Sequence, residues 1–176
     1  DAARAATVLT ASIVQFDADL ATLEGLSADP QISAARAVLA RAWRDMKPLL
    51  DAAPDAAGAQ ALYDASETVQ KAAHELTTLC ERQAPAPLAH LVNLAGRQRM
   101  LSQRMAKFFL YRTWDISADA ADMELELAHA HFNAVLIQLE KSALVDGATR
   151  GEIVALRAAW QDYEPLLIAR GSVVDM

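Results

Sequence analysis

The sequence predicts an all-α protein, an antiparallel helical bundle of about six helices with an internal duplication. The chain has 176 residues, of which 53% are hydrophobic but only 6% aromatic, and it contains six Gly and six Pro. This alanine-rich composition is typical of closely packed helices rather than of a β protein. Apolar residues recur at helical spacing, and the last helix pair repeats patterns of the first.

Local start and stop signals predict the individual helices. Asp29-Pro30 and Asp146-Gly147 each mark a turn between the two helices of a pair. Pro85 and Pro87 interrupt the chain before the fourth helix. These signals predict helices over about 2–26, 30–52, 55–83, 87–115, 118–144 and 148–170.

Two sequence patterns occur once in each helix pair. Phe16 to Glu24 aligns with Phe132 to Glu140 through F-x-A-x-L-x-x-L-E. Farther along, W-x-D-x-x-P-L-L begins at Trp43 and again at Trp160, at a matching distance. The repetition predicts an internal duplication in which both tryptophans anchor their helices. We therefore divide the chain into a first repeat, residues 1–54, a connecting helix, residues 55–86, and a second repeat, residues 87–176.

The segment from Leu91 to Tyr111 predicts one amphipathic helix with two distinct faces. Its apolar stripe consists of Leu91, Leu94, Leu101, Met105 and Phe108. A second face carries Asn93, Gly96, Arg97, Met100, Arg104, Lys107 and Tyr111. Glycine inside a helix costs about 1 kcal/mol relative to alanine. One reason to keep it there is the close approach of a ligand or of another backbone.

The same segment contains the motif G-x-x-R-M-x-S-x-R, formed by Gly96, Arg99, Met100, Ser102 and Arg104. This motif resembles the signature helix of PilJ-type and NarX-type sensory domains, which belong to chemoreceptors and nitrate-responsive sensor kinases. The resemblance implies a periplasmic, all-helical domain that binds a small anion, nitrate or nitrite above all. It also implies that the anion lies between two copies of the helix across a dimer axis. The first repeat lacks such a helix, so the partner is a second chain, giving a homodimer, or an upstream repeat helix.

The arginines of this helix are the candidate anion ligands, because guanidinium forks match planar oxyanions and stay charged. Arg104 is the first choice, since it closes the motif and lies about 20° from Arg97 on a helical wheel. Arg99 lies about 140° from Arg104, so we expect it to pair structurally. The alternative is that the arginines pair with acidic residues of a neighbouring helix or are solvated. The predicted ligand-binding set is Arg104, Arg97, Gly96, Asn93, Met100 and Arg99.

Other function classes find little support in the sequence. The net charge of −7 argues against a nucleic-acid partner, and no stretch of about 18 apolar residues predicts a membrane span. The Glu126-x-x-His129 spacing fits a di-iron bundle but has no second copy, so we expect no metal and no cofactor. No catalytic constellation indicates an enzyme. Lacking an initial Met, the sequence is compatible with a removed signal peptide. The alternative function is a helical dimerisation or scaffolding domain without a small-molecule ligand.

Overall fold

The computed structural model describes residues 2–25, 27–52, 55–83 and 87–169, and these residues form six α-helices without a strand. The helices are α1 (Ala2–Thr22), α2 (Pro30–Asp51), α3 (Ala56–Gln83), α4 (Pro87–Thr113), α5 (Ala118–Lys141) and α6 (Gly147–Ile168). The predicted all-α class and the number of helices are therefore confirmed. The antiparallel arrangement and the duplication are compatible with this architecture.

The helix ends follow from local backbone chemistry. Asp29 and Asp146 cap α2 and α6, because their carboxylates accept hydrogen bonds from Gln31 N, at 2.7 Å, and Thr149 N, at 2.8 Å. The backbone hydrogen bond from Thr149 lowers the pKa of Asp146. Both turns that the sequence predicted thus begin their helices as expected.

Five of the six helices end one to four residues earlier than predicted, and α3 ends at Gln83 as predicted. The helix α4 ends at Thr113 because Asp115 and Ser117 adopt left-handed φ values of 56° and 49°. Gly25, with φ 76°, follows the end of α1. Ser142 takes an extended conformation and ends α5 at Lys141. The predicted ends at residues 26 and 170, and the segment 84–86, lie outside the described residues.

The chain divides into two compact units, residues 1–83 and 84–176. The first unit contains α1, α2 and α3, so α3 packs with α2 in one core. That core consists of Ile32, Leu39, Ala42, Val69, Ala72 and Leu76. Phe16 and Leu20 of α1 pack against it, as does Leu23 just after the end of α1. The division into a first repeat, a connecting helix and a second repeat stays a prediction.

In the second unit α4 packs mainly against α5, and α6 adds a smaller set of contacts. Four of the five predicted stripe residues of α4 are buried, while Leu91 is half-buried. Tyr111 departs from the expectation: assigned to the polar face, it is only 7% exposed. The buried partners on α5 and α6 include Leu125, Ala128, Phe132, Leu136, Ile153 and Trp160. Each fully buried large apolar side chain stabilises the unit by about 1.5–3 kcal/mol.

The two repeated patterns make matching contacts in the two units. The rings of Phe16 and Trp43 lie 4.1 Å apart, and those of Phe132 and Trp160 lie 4.3 Å apart. The Trp43 indole donates to Asp17 at 2.7 Å. The Trp160 indole donates to Asn133, which aligns with Asp17, at 3.0 Å. These contacts are compatible with an internal duplication.

Candidate anion-binding face of the fourth helix

One side of α4 lies fully open in the structure. Its exposed residues share one stripe, which we call the open face, and they are Leu88, Val92, Ala95, Gly96, Arg99, Gln103 and Leu110. Gly96 and Arg99 are one turn apart on it and differ by about 60° in direction. The open face therefore joins a cation to a helix-interior glycine.

Gly96 has empty space where a side chain would begin. A Cβ built there meets no atom of the described residues within 4 Å. No close neighbour within the described chain therefore explains why this helical position is glycine. The space allows a ligand or another helix to approach the backbone of α4 closely.

Arg99 is exposed, and its guanidinium makes no hydrogen bond or ion pair with any described residue. The motif serine lies next to it in a structural role, because the Ser102 hydroxyl donates to the Arg99 carbonyl at 2.8 Å. The sequence predicts that Arg99 pairs with another side chain. In the structure its donors instead point to no protein acceptor among the described residues.

Arg104 lies on a different side of α4, facing α5. Its Nη2 donates to Glu124 Oε2 at 3.0 Å, and its guanidinium carbon lies 5.0 Å from the centre of the Phe108 ring. The side chain is only 16% exposed. The alternative interpretation, in which an arginine of this helix pairs with an acid of a neighbouring helix, therefore describes Arg104.

The remaining candidate residues lie between these two positions. Asn93, Arg97 and Met100 are all half-buried. The Nε atom of Arg97 is buried and has no hydrogen-bond partner among the described residues. Arg97 and Arg104 point about the same way on the wheel, and both are half-buried. The six predicted residues thus divide into an open pair, Gly96 and Arg99, and a half-buried group.

Sequence patterns had not identified Gln98 as a buried residue. It is 5% exposed, and with its amide suitably oriented it donates to the Phe132 carbonyl at 3.2 Å and accepts from Leu136 N at 3.3 Å. A polar residue beside the apolar stripe was the available signal. Gln98 is thus buried against the backbone of α5, while the next residue, Arg99, is exposed.

A groove with a volume of about 420 Å³ runs between α4 and α6 beside the open face. Phe132 and Trp160 lie at its base, while Leu156, Ala159 and Tyr163 line the α6 side. Arg99 lines the groove from α4. The open face and the groove therefore share one cation.

The other sequence candidates take part in protein contacts. His129 Nε2 contacts Glu164 Oε1 on α6. Among the described ranges no three His, Cys, Asp or Glu side chains cluster closely enough to hold a metal ion. Cys80 is a half-buried free thiol. No helix of the described residues is both long and apolar enough to cross a membrane.

Comparison with known families agrees with the motif of α4. Residues 86–172 match the family model of the PilJ domain, the N-terminal domain of type IV pili methyl-accepting chemotaxis transducers. The second unit of the chain belongs to this family of non-catalytic sensory domains. The match confirms the PilJ resemblance. No significant match to a curated protein or to a solved structure was found.

Proposed function

We propose that the chain is a periplasmic sensory module that binds a small oxyanion, nitrate or nitrite above all, on the open face of α4. One observation carries the proposal: Arg99, whose guanidinium binds no described residue, lies one turn from Gly96, where a Cβ would meet no described atom within 4 Å. Family membership supports the sensory role, and the site chemistry supports the anion.

The chemistry of Arg99 suits a planar oxyanion. A guanidinium offers parallel N–H donors at the spacing of two oxygen atoms, and it stays charged at every physiological pH. The chain as a whole carries a net charge of −7, which repels anions at long range. Anion binding therefore needs a local cation that no carboxylate neutralises, and Arg99 meets that condition among the described residues.

A second copy of α4 completes the proposed site. Gly96 permits two open faces to approach closely, and the apolar residues Leu88, Val92 and Leu110 lie on the same face. The Arg99 side chains of two copies would repel each other across a two-fold axis. An anion between them removes this repulsion, so binding and self-association are coupled.

Arg104 has a different role in this proposal. Its ion pair with Glu124 joins α4 to α5 and fixes the direction in which the open face points. It is a positioning residue, whereas Arg99 is the ligand. Direct binding of the anion by Arg104 stays a prediction, and variants of the two arginines distinguish it from binding by Arg99.

Thermal unfolding with a panel of anions tests the site. A ligand at a hundredfold excess over its Kd stabilises the folded state by about 2.7 kcal/mol, which raises the Tm by several degrees. We expect nitrate and nitrite to raise the Tm, with chloride as the control. Arg99→Gln should abolish the shift, whereas Arg104→Gln should lower the Tm without anion and keep the shift. Loss of the shift in Arg104→Gln alone, or no shift with any oxyanion, would contradict the proposal.

The alternative is a dimerisation or scaffolding domain without a ligand. The exposed apolar residues of the open face favour it. In that case the chain associates equally with and without oxyanion. Arg99→Gln would then strengthen association by removing repulsion, the opposite of the result expected for an anion-bridged pair.

A further inference from the structure

We propose that the groove between α4 and α6 binds a small aromatic monocarboxylate, with its ring in the groove and its carboxylate on Arg99. The proposal rests on the proposed function only through Arg99, which both ligand classes share. It adds a larger organic ligand, bound within one copy of the second unit.

The shape and surface of the groove suit a small organic molecule. Its volume of about 420 Å³ lies in the range of about 300–1,000 Å³ that is typical of ligand pockets. The Phe132 and Trp160 rings at the base lie 4.3 Å apart, and the ring of Tyr163 lies 6.4 Å from that of Trp160. An aromatic ligand can pack against these rings in the offset geometry that such pairs favour.

Three polar side chains that line the groove already have protein partners. The Trp160 indole donates to Asn133, and the Ser102 hydroxyl donates to a backbone carbonyl. The Gln98 amide bonds to the backbone of α5. Arg99 is therefore the charged group of the groove that remains available to orient a ligand.

A similar groove in the first unit carries the opposite charge, and this comparison indicates which groove suits a negatively charged ligand. A groove of about 380 Å³ runs between α1 and α3, lined by Phe16, Leu20 and Leu76 among others. It is similarly apolar, but the charged residue lining it is Asp19. A carboxylate is repelled there and attracted in the second unit, so we assign the aromatic acid to the groove of the second unit alone.

Isothermal titration calorimetry with phenylacetate tests this assignment on the full chain. Phenylacetamide has the same ring without the charge, and acetate has the charge without the ring. We expect one phenylacetate per chain, with both controls binding at least tenfold more weakly, because ring and carboxylate each contribute. Nitrate should compete with phenylacetate, since both need Arg99.

Two variants of exposed α6 residues separate the groove from the open face. Ala159→Trp fills the groove, while Ala158→Trp places the same side chain outside it. We expect the first variant to lose phenylacetate binding and to keep the nitrate response, and the second to keep both. Arg99→Gln should lose phenylacetate binding as well. If nitrate fails to bind while phenylacetate behaves as expected, the proposed function fails and the groove assignment stands.

Three results would overturn the groove assignment. The first is equal binding of phenylacetamide, and the second is unchanged phenylacetate binding in Ala159→Trp. The third is a pair of findings: the unmodified chain binds no phenylacetate, and sedimentation shows that Ala159→Trp disrupts its dimer. That last result would make the groove an interface between copies instead.

Discussion

The two units join a pair of helices in the same way but with different charges. In each, a Phe–Trp ring pair and an indole hydrogen bond connect the helices. In the first unit Lys47 then binds Asp17, whereas in the second the equivalent of Lys47 is Glu164, which contacts His129 and Asn133. The aromatic anchor is shared, and the ionic part is reversed in sign. Packing thus defines this helix pair, while its charges are free to vary.

Removing the aromatic anchors should give the largest effect. Trp43 and Trp160 are 6% and 4% exposed, so truncation to Ala should lower the free energy of unfolding by about 3–5 kcal/mol in each case. Trp114, which is 60% exposed, is the matched control and should change it by less than about 0.5 kcal/mol. Urea unfolding of the three variants measures this. A large loss at only one of the two buried tryptophans would break the equivalence of the units.

Gly96→Ala tests whether the glycine of α4 takes part in the proposed anion site of the second unit. Because a Cβ there meets no described atom, alanine should stabilise the anion-free chain by about 1 kcal/mol. It should also weaken the nitrate-induced Tm shift, since the extra methyl group blocks close approach to the backbone. Gly151→Ala in α6, where a Cβ likewise meets nothing, should keep the full shift. If the nitrate-induced Tm shift is unchanged in Gly96→Ala, Gly96 is not part of the anion site.

In acid, the free energy of unfolding should depend on pH through one carboxyl group in each unit. The hydrogen bond from Lys47, and then that from Trp43, lowers the pKa of Asp17, while those from His129 and Asn133 lower the pKa of Glu164. A carboxyl group whose pKa is lowered by folding stabilises the folded state at pH values above its ordinary pKa, which is 3.8 for Asp17 and 4.5 for Glu164. This stabilisation is lost as the pH falls through the lowered pKa. Asp17→Asn and Glu164→Gln should each make unfolding less dependent on pH in this region. An unchanged dependence in both variants would contradict these ion contacts.

The sequence predicted the fold more completely than the site, for a physical reason. Helix starts depend on local groups such as the Asp29 and Asp146 caps, and the Phe–Trp pairs follow from repeated patterns. The direction of an arginine relative to other helices depends on where those helices pack. A helical wheel cannot place Glu124 beside Arg104, nor can it show that Tyr111 is buried. The motif therefore identified the helix that carries the candidate site. Which side of that helix is exposed depends on how α5 and α6 pack against it.

Sedimentation equilibrium with and without nitrate tests the central claim most directly, because the claim couples the anion to the pairing of two open faces. The mass of one chain is 19.0 kDa. We predict that nitrate shifts the chain towards twice this mass, that Arg99→Gln remains at the mass of one chain, and that Arg104→Gln still shifts. A single-chain mass at every nitrate concentration, or a shift that Arg99→Gln does not change, would contradict the account.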